Sequence, residues 1–211
     1  MVNDQIGDRF MKEHYYDKLL NINTVGNQKE TNGPIHYHRY EPTQYMALEA
    51  LFDEDELKSS DHVVDFGCGK GRLNFYLHYF YQASVMGIEM NEVFYKEALQ
   101  NKTSYQKKHK RNRDKIQFQC CLAEEYEINP LDNRFYFFNP FSIQIFIAVL
   151  INIIVSVSEV NREVELILYY ASEDYVYFLE NHTGFELKKE IIVPGLYEND
   201  PYERFLIYRL G

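Results

Sequence analysis

The chain of 211 residues has no tryptophan, only three cysteines and no surplus of positive charge. Cys120 and Cys121 are adjacent, so on a strand they point to opposite faces, and Cys68 sits in a glycine-rich stretch. An odd count in that arrangement suits no disulfide framework, and a reducing, cytoplasmic compartment is the expectation. With 22 Lys and Arg against 32 Asp and Glu, the formal net charge is −10. That balance disfavours a broad basic face for a phosphate backbone, so nucleic acid is not the expected partner, although one small basic patch stays open. The polar start, Met1 to Asp8, leads into no apolar segment of the kind a signal peptide carries. No apolar run reaches the roughly 20 residues of a spanning helix. The nearest, Phe141 to Val157, contains Gln144 and Asn152. With Ala148, Ser156 and Glu159 these fall near one stripe at helical spacing. It reads as a helix packed against a sheet, and any excess apolar surface over residues 143–157 as a homodimer contact. No membrane association is expected.

Aromatic residues are abundant instead, with 19 Tyr and 15 Phe. Tyrosine buries a large ring while keeping a polar tip, which suits half-buried positions and pocket walls. The length suits one domain, 41–211, preceded by a helix and loop over 1–40 that is a candidate lid. Ile6, Phe10, Tyr15 and Leu19 give the first helix an apolar side, and Asn21 to Pro34 reads as a loop. A second helix is predicted from Glu41-Pro42-Thr43, with proline in its first turn. Strand and helix patterns then alternate: strand 63–66, helix 73–81, strand 84–89, helix 93–107, strand 116–121, strand 135–138, helix 143–157, strand 164–170 and a short helix 175–180. Two β runs, 185–193 and 203–210, close the chain around the turn PGLYENDP. This order predicts an α/β fold with a parallel sheet and a terminal antiparallel hairpin.

The most informative run is HVVDFGCGKGR, His62 to Arg72. A short apolar strand bearing Asp65 breaks into glycine at 67, 69 and 71, and a helix follows. Such a turn lets backbone approach a ligand and aims the free N–H groups of the new helix at it. A dinucleotide fingerprint needs glycine at its sixth position, where this chain has Arg72. Glu89 ends the next strand, placed to accept both hydroxyls of a ribose held by the loop, or merely to cap the helix that begins at Asn91-Glu92.

The D-x-G-x-G-x-G spacing and the element order, from about residue 40 to the C-terminus, resemble the Rossmann-like (class I) S-adenosylmethionine-dependent methyltransferases. The resemblance implies a mostly parallel seven-stranded sheet with a C-terminal antiparallel hairpin and helices on both faces. It implies a cofactor cradle of Asp65, Gly67, Cys68, Gly69, Gly71 and Glu89, with Met90 beside it. Asp65 would orient the loop near the amino group of the methionine moiety. After the third strand, related enzymes carry an acid that reaches adenine. Here that position is Leu122, so Ala123 backbone or Glu124 would replace the contact, or Leu122 would pack on the adenine face. FYFFNPFS resembles the N-P-P-Y/F motif of amino-methyltransferases with one proline missing. Asn139, Pro140 and Phe141 are the implied catalytic segment, Asn139 also lining the cofactor; alternatively Asn139-Pro140 is a plain strand-to-helix turn. In HYHRYEPTQY, Tyr40, Glu41 and Thr43 are the residues expected to fold over the pocket.

The implied function is methyl transfer from S-adenosylmethionine, releasing S-adenosylhomocysteine, to a nitrogen of a small molecule or protein. A protein that binds the cofactor without transferring methyl is the alternative, and the terminal hairpin and Arg72 argue against an NAD oxidoreductase. His36 and His38 have no acid or cysteine cluster to complete a metal site, so none is expected. The basic run Lys107 to Lys115 falls at a helix C-terminus, where cations are favourable, and at the sheet edge away from the ligand side. Arg72 is read as facing a carboxylate, of a ligand or of a surface salt bridge.

Overall fold

The computed structural model describes residues 2–25, 41–110 and 113–211. Tyr40, His36, His38 and most of the loop before them lie outside the described residues, as do the side chains of Ile6 and Phe10. Seven strands form one sheet: β1 His62–Phe66, β2 Ser84–Ile88, β3 Ile116–Gln119, β4 Arg134–Phe138, β5 Val164–Tyr169, β6 Glu186–Ile192 and β7 Arg204–Leu210. Their order is β3-β2-β1-β4-β5-β7-β6. The first five are parallel, while β7 runs antiparallel to both β5 and β6. Among the described residues, six α-helices accompany them: α1 Val2–Leu20, α2 Tyr45–Glu54, α3 Arg72–Tyr81, α4 Glu92–Lys108, α5 Ile143–Glu159 and α6 Glu173–His182. The predicted mostly parallel seven-stranded sheet with a terminal hairpin is the observed one.

Alternation along the central strands explains the layers. Val63, Val85, Ile116, Tyr136 and Ile167 point to one face, against Leu48 and Leu51 of α2 and Phe75 and Tyr76 of α3. Val64, Phe66, Phe135, Phe137 and Leu166 point to the other, against Phe146, Val149 and Leu150 of α5 and Tyr175 of α6. A parallel strand covered on both faces needs this continuous apolar run, each large side chain contributing about 1.5–3 kcal/mol. Helix α5 is thus a packed helix. Its Asn152 donates to the Glu124 carbonyl at 2.9 Å, and Ile151 and Val155 are exposed. Among the described residues no helix is long and apolar enough to cross a membrane.

Two expectations are corrected. Helix α2 begins at Tyr45, after an extended Gln44. Thr43 is held out of a helix by its tertiary bonds: its hydroxyl meets Tyr136 Oη at 2.7 Å, and its carbonyl accepts from Arg72 at 3.0 Å. In α1 the packed face mixes polar and apolar groups: Tyr15 is 61% exposed, while Asp17 is 6% and Leu20 0% exposed. Asp17 accepts from the Thr24 amide and hydroxyl and from the Tyr45 hydroxyl, which satisfies it as a buried group. Tyrosine–carboxylate pairing recurs across the molecule: the hydroxyls of Tyr16, Tyr45, Tyr126, Tyr169, Tyr170, Tyr202 and Tyr208 all donate to acids. The abundance of Tyr and the surplus of acid are therefore linked, each supplying partners for the other.

Candidate active site

Strand order reverses between β2-β1 and β4-β5, which opens a crevice at the C-terminal ends of β1 and β4. The glycine loop lies there. The amides of Gly67 and Cys68 both donate to the Ile88 carbonyl, at 2.9 and 3.0 Å, so the loop is clamped to the end of β2. Gly67 has φ +80° and Gly71 φ +85°, left-handed conformations that favour glycine. A Cβ at Gly71 would come within 2.7 Å of Phe118, and one at Gly67 within 2.9 Å of the Pro140 ring. The second contact brings the loop directly against the segment that follows β4.

Glu89 is 8% exposed and accepts from the Gly69 amide at 2.9 Å and from the Asn91 amide at 2.7 Å. It therefore spans both roles read from the sequence, bracing the loop and the start of α4. Two bonds leave lone pairs on each oxygen for further donors, as a vicinal diol would require. Burial raises its pKa, opposed by those backbone donors. Asp65 sits in register with Gly87 and Tyr136. Burial, with Glu89 nearby, pushes its carboxyl up to about 8. With the Asn74 amide turned to satisfy both ends, Asn74 donates to Asp65 at 3.1 Å and accepts from the Gly87 amide at 3.2 Å. A neutral Asp65 is primed to ionise beside a cation. Cys68 is buried, and burial plus the two acids hold its thiol well above the ordinary range, which leaves it no thiolate to act as a nucleophile.

Strands β4 and β5 end in register, Phe138 opposite Tyr169. The next residue of each, Asn139 with φ +37° and Tyr170 with φ +54°, is a non-glycine residue in left-handed conformation. Asn139 and Pro140 are half-buried at this rim. Phe141 departs from expectation: it is 1% exposed, its ring lies edge-on to Phe137 at 6.1 Å, and its carbonyl accepts from the Tyr175 hydroxyl. The aromatic ring of this segment thus joins the core. Leu122 and Glu124 are half-buried about the short 3-10 turn Ala123–Glu125, with Ala123 buried, and Met90 is half-buried after Glu89. Thr43 is buried at the crevice wall, while Glu41 is exposed.

Arg72 is neither on the surface nor free for a ligand. It is 4% exposed, pairs with Glu13, donates to Thr24 Oγ1 at 2.8 Å, and lies 4.4 Å over the Tyr45 ring. The residue after the last loop glycine thus ties α1 to the crevice. The basic run also has structural duties: Lys108 donates to the Lys18 and Leu19 carbonyls at 3.0 Å, capping the C-terminus of α1. Lys115 donates to the Ser59 and Gln82 carbonyls. No group of metal-binding residues occurs among the described residues. Tyr136, Asn74 and Tyr170 were missed from the sequence; the alternation in RFYFF was the available signal for Tyr136.

Fold and crevice together define a Rossmann-like protein built to hold a nucleoside-bearing ligand. The model of a methyltransferase domain matches residues 43–164, more than half of the chain, and the chain belongs to that family. No match is found among curated protein sequences. Several solved structures share the fold. A candidate RNA methyltransferase of Pyrococcus horikoshii is 18% identical with a TM-score of 0.56, over 94% of this chain and 96% of that one. An RNA methyltransferase of Salinibacter ruber, solved with S-adenosyl-L-homocysteine, is 14% identical with a TM-score of 0.51, over 80% and 92%. TrmK of M. capricolum, also solved with S-adenosylhomocysteine, is 12% identical with a TM-score of 0.51, over 81% and 69%.

Proposed function

We propose that this methyltransferase takes its methyl group from S-adenosylmethionine and passes it to a nitrogen presented at Asn139 and Pro140. The observation that carries the reading is the abutment of the loop and the segment after β4, Gly67 against Pro140, with Glu89 and Asp65 buried beneath. Glu89 retains acceptor capacity for the two ribose hydroxyls, and Asp65 is placed to meet the cationic amino end. Met90, Leu122, Ala123 and Glu124 line the side where the adenine belongs, and Thr43 and Glu41 border the opening. The cofactor supplies an already activated methyl on a sulfonium, so the residues have to align and desolvate the acceptor rather than activate a leaving group. Asn139 is the group that holds the acceptor nitrogen with its lone pair toward the methyl.

The net charge of −10 supports a small-molecule or protein acceptor, whereas the two structural relatives described as RNA methyltransferases support an RNA base. Both acceptors offer a nitrogen, and one experiment separates them. The purified protein is incubated with methyl-labelled S-adenosylmethionine and, separately, with RNA, protein and small-molecule fractions of a cell extract. Label is expected in one fraction and lost with Asn139→Ala. Cofactor binding without label in any fraction would favour a protein that binds without transferring.

A further inference from the structure

Beyond Asn139, the rim of the sheet carries a row of rings. Phe138 packs against Tyr169 with centroids 4.6 Å apart and lies 6.5 Å from Tyr170, edge to face. Tyr170 in turn lies 5.5 Å from Tyr202, in the turn that leads into β7. One carboxylate organises the pair: Asp200 Oδ2 accepts from the Tyr170 hydroxyl at 2.6 Å, and Oδ1 accepts from the Tyr202 amide at 3.0 Å. Glu173 accepts from the Tyr202 hydroxyl at 3.0 Å. The hydroxyls are thereby engaged, and both rings remain half-exposed. Tyr202 also borders a cleft of about 460 Å³ lined by Glu173, Tyr177, Glu180, Asn181 and Arg204.

Phe138 and Tyr170 rest partly against the core on the α2 and α3 side, while Tyr202 stands outside it. Tyr170 reaches its place through a left-handed backbone that a tyrosine adopts only at a cost, next to a second such residue at Asn139. Strain of that kind persists where the surroundings over-determine it, here through Asp200. A surface built from ring faces, with their polar tips tied away, is suited to stacking a flat partner. Stacking tolerates any heterocycle, because each offers a π-face. Neighbouring carboxylates at Asp200, Glu173 and Glu203 suit the amino and ring N–H donors of a base better than they suit phosphate.

We propose that Tyr170 and Tyr202, continuing from Phe138, form a stacking shelf that receives the flat nitrogen heterocycle of the methyl acceptor, its remainder extending into the cleft at Arg204. The proposal rests on the reading of Asn139 as the acceptor-side residue. It names a nucleobase-like ring, free or within an RNA strand.

The test titrates S-adenosylhomocysteine first, into wild type, Tyr202→Ala, Tyr170→Asn and Tyr202→Phe, which keeps the ring and both bonds to Asp200. Asparagine tolerates the left-handed backbone, so Tyr170→Asn removes the ring without adding strain. Equal affinities for the four proteins show that the cofactor side is intact. Failure of the wild type to bind would overturn the cofactor reading alone. The same ring comparison, without S-adenosylhomocysteine, would then judge the shelf. Adenosine, cytidine, the oligomer r(A)6 and putrescine are then tested by saturation-transfer NMR on the saturated proteins. Base protons should receive saturation in wild type and in the Phe variant, and putrescine should not. Affinity should fall at least about fivefold in Tyr202→Ala and Tyr170→Asn, the weak end of base–aromatic stacking. Tighter binding of r(A)6 than of adenosine assigns the shelf to a strand, and equal binding to a free heterocycle; both support it. Base signals unchanged in the ring-less variants, or absent from wild type that binds S-adenosylhomocysteine, would overturn it.

Discussion

Replacing Asp65 by Asn should stabilise the protein, and increasingly so as pH rises. The side chain is 5% exposed, and its carboxyl is pushed up from 3.8 to about 8 by burial and by Glu89. In the unfolded chain the acid ionises near 3.8, while in the folded protein it keeps its proton to about 8. Between those values the folded state binds the extra proton, so this group's contribution to stability falls as pH rises through the window and levels off above it. At about 1.4 kcal/mol per pH unit, the cost to wild type is at most about 5–6 kcal/mol above pH 8. Asparagine keeps the shape and the polar contact to Asn74 without a charge to bury. The stability gap between Asp65→Asn and wild type should therefore widen by up to about 4 kcal/mol from pH 5 to pH 8. Urea unfolding at the two pH values measures it. The same comparison in a Glu89→Gln background should give a smaller gap, because one of the two causes is gone. A gap independent of pH, or a variant less stable than wild type at pH 8, would refute the argument.

Other perturbations follow from the same contacts. Arg72→Met leaves the half-buried Glu13 with the Tyr45 amide alone and should cost about 1–3 kcal/mol in urea unfolding; α1 should then be clipped by protease before the body of the protein. Gly67→Ala places a Cβ 2.9 Å from Pro140 at a φ of +80°. It should lower stability by about 1–3 kcal/mol and weaken S-adenosylhomocysteine binding at least tenfold by calorimetry. An unchanged affinity would mean that the loop and the Asn139 segment are not one site.

The positions of the strands along the chain were legible because β1, β4 and β5 are short apolar runs set apart by turns, and their observed ends lie within a residue or two of those predicted. The glycine loop was legible for the same reason that it exists, since left-handed positions and close approach to Pro140 and Phe118 admit little else. Apolar pattern failed where burial is polar. In α1, Asp17 is buried because Thr24 and Tyr45 satisfy it, which a search for apolar spacing scores as solvent. Arg72 was misplaced for a related reason, because its partners Glu13, Thr24 and Thr43 come from elements far away in sequence. Phe141 was assigned by analogy with a motif two prolines long, whereas its ring packs edge-on to Phe137 in the core. Tyr170 and Tyr202 were invisible because only the pairing of β4, β5 and β7 brings Tyr170 beside Asn139 and Tyr202 against Tyr170.

The central claim is that the crevice over Asp65, Glu89 and the glycine loop binds S-adenosylmethionine. Calorimetric titration of S-adenosylhomocysteine into wild type and Glu89→Ala tests it most directly. The account predicts saturable one-to-one binding to wild type, weakened at least about tenfold in the variant, whose two ribose bonds would be worth at least about 1.4 kcal/mol together. Equal binding by both proteins, or none by wild type, would contradict it.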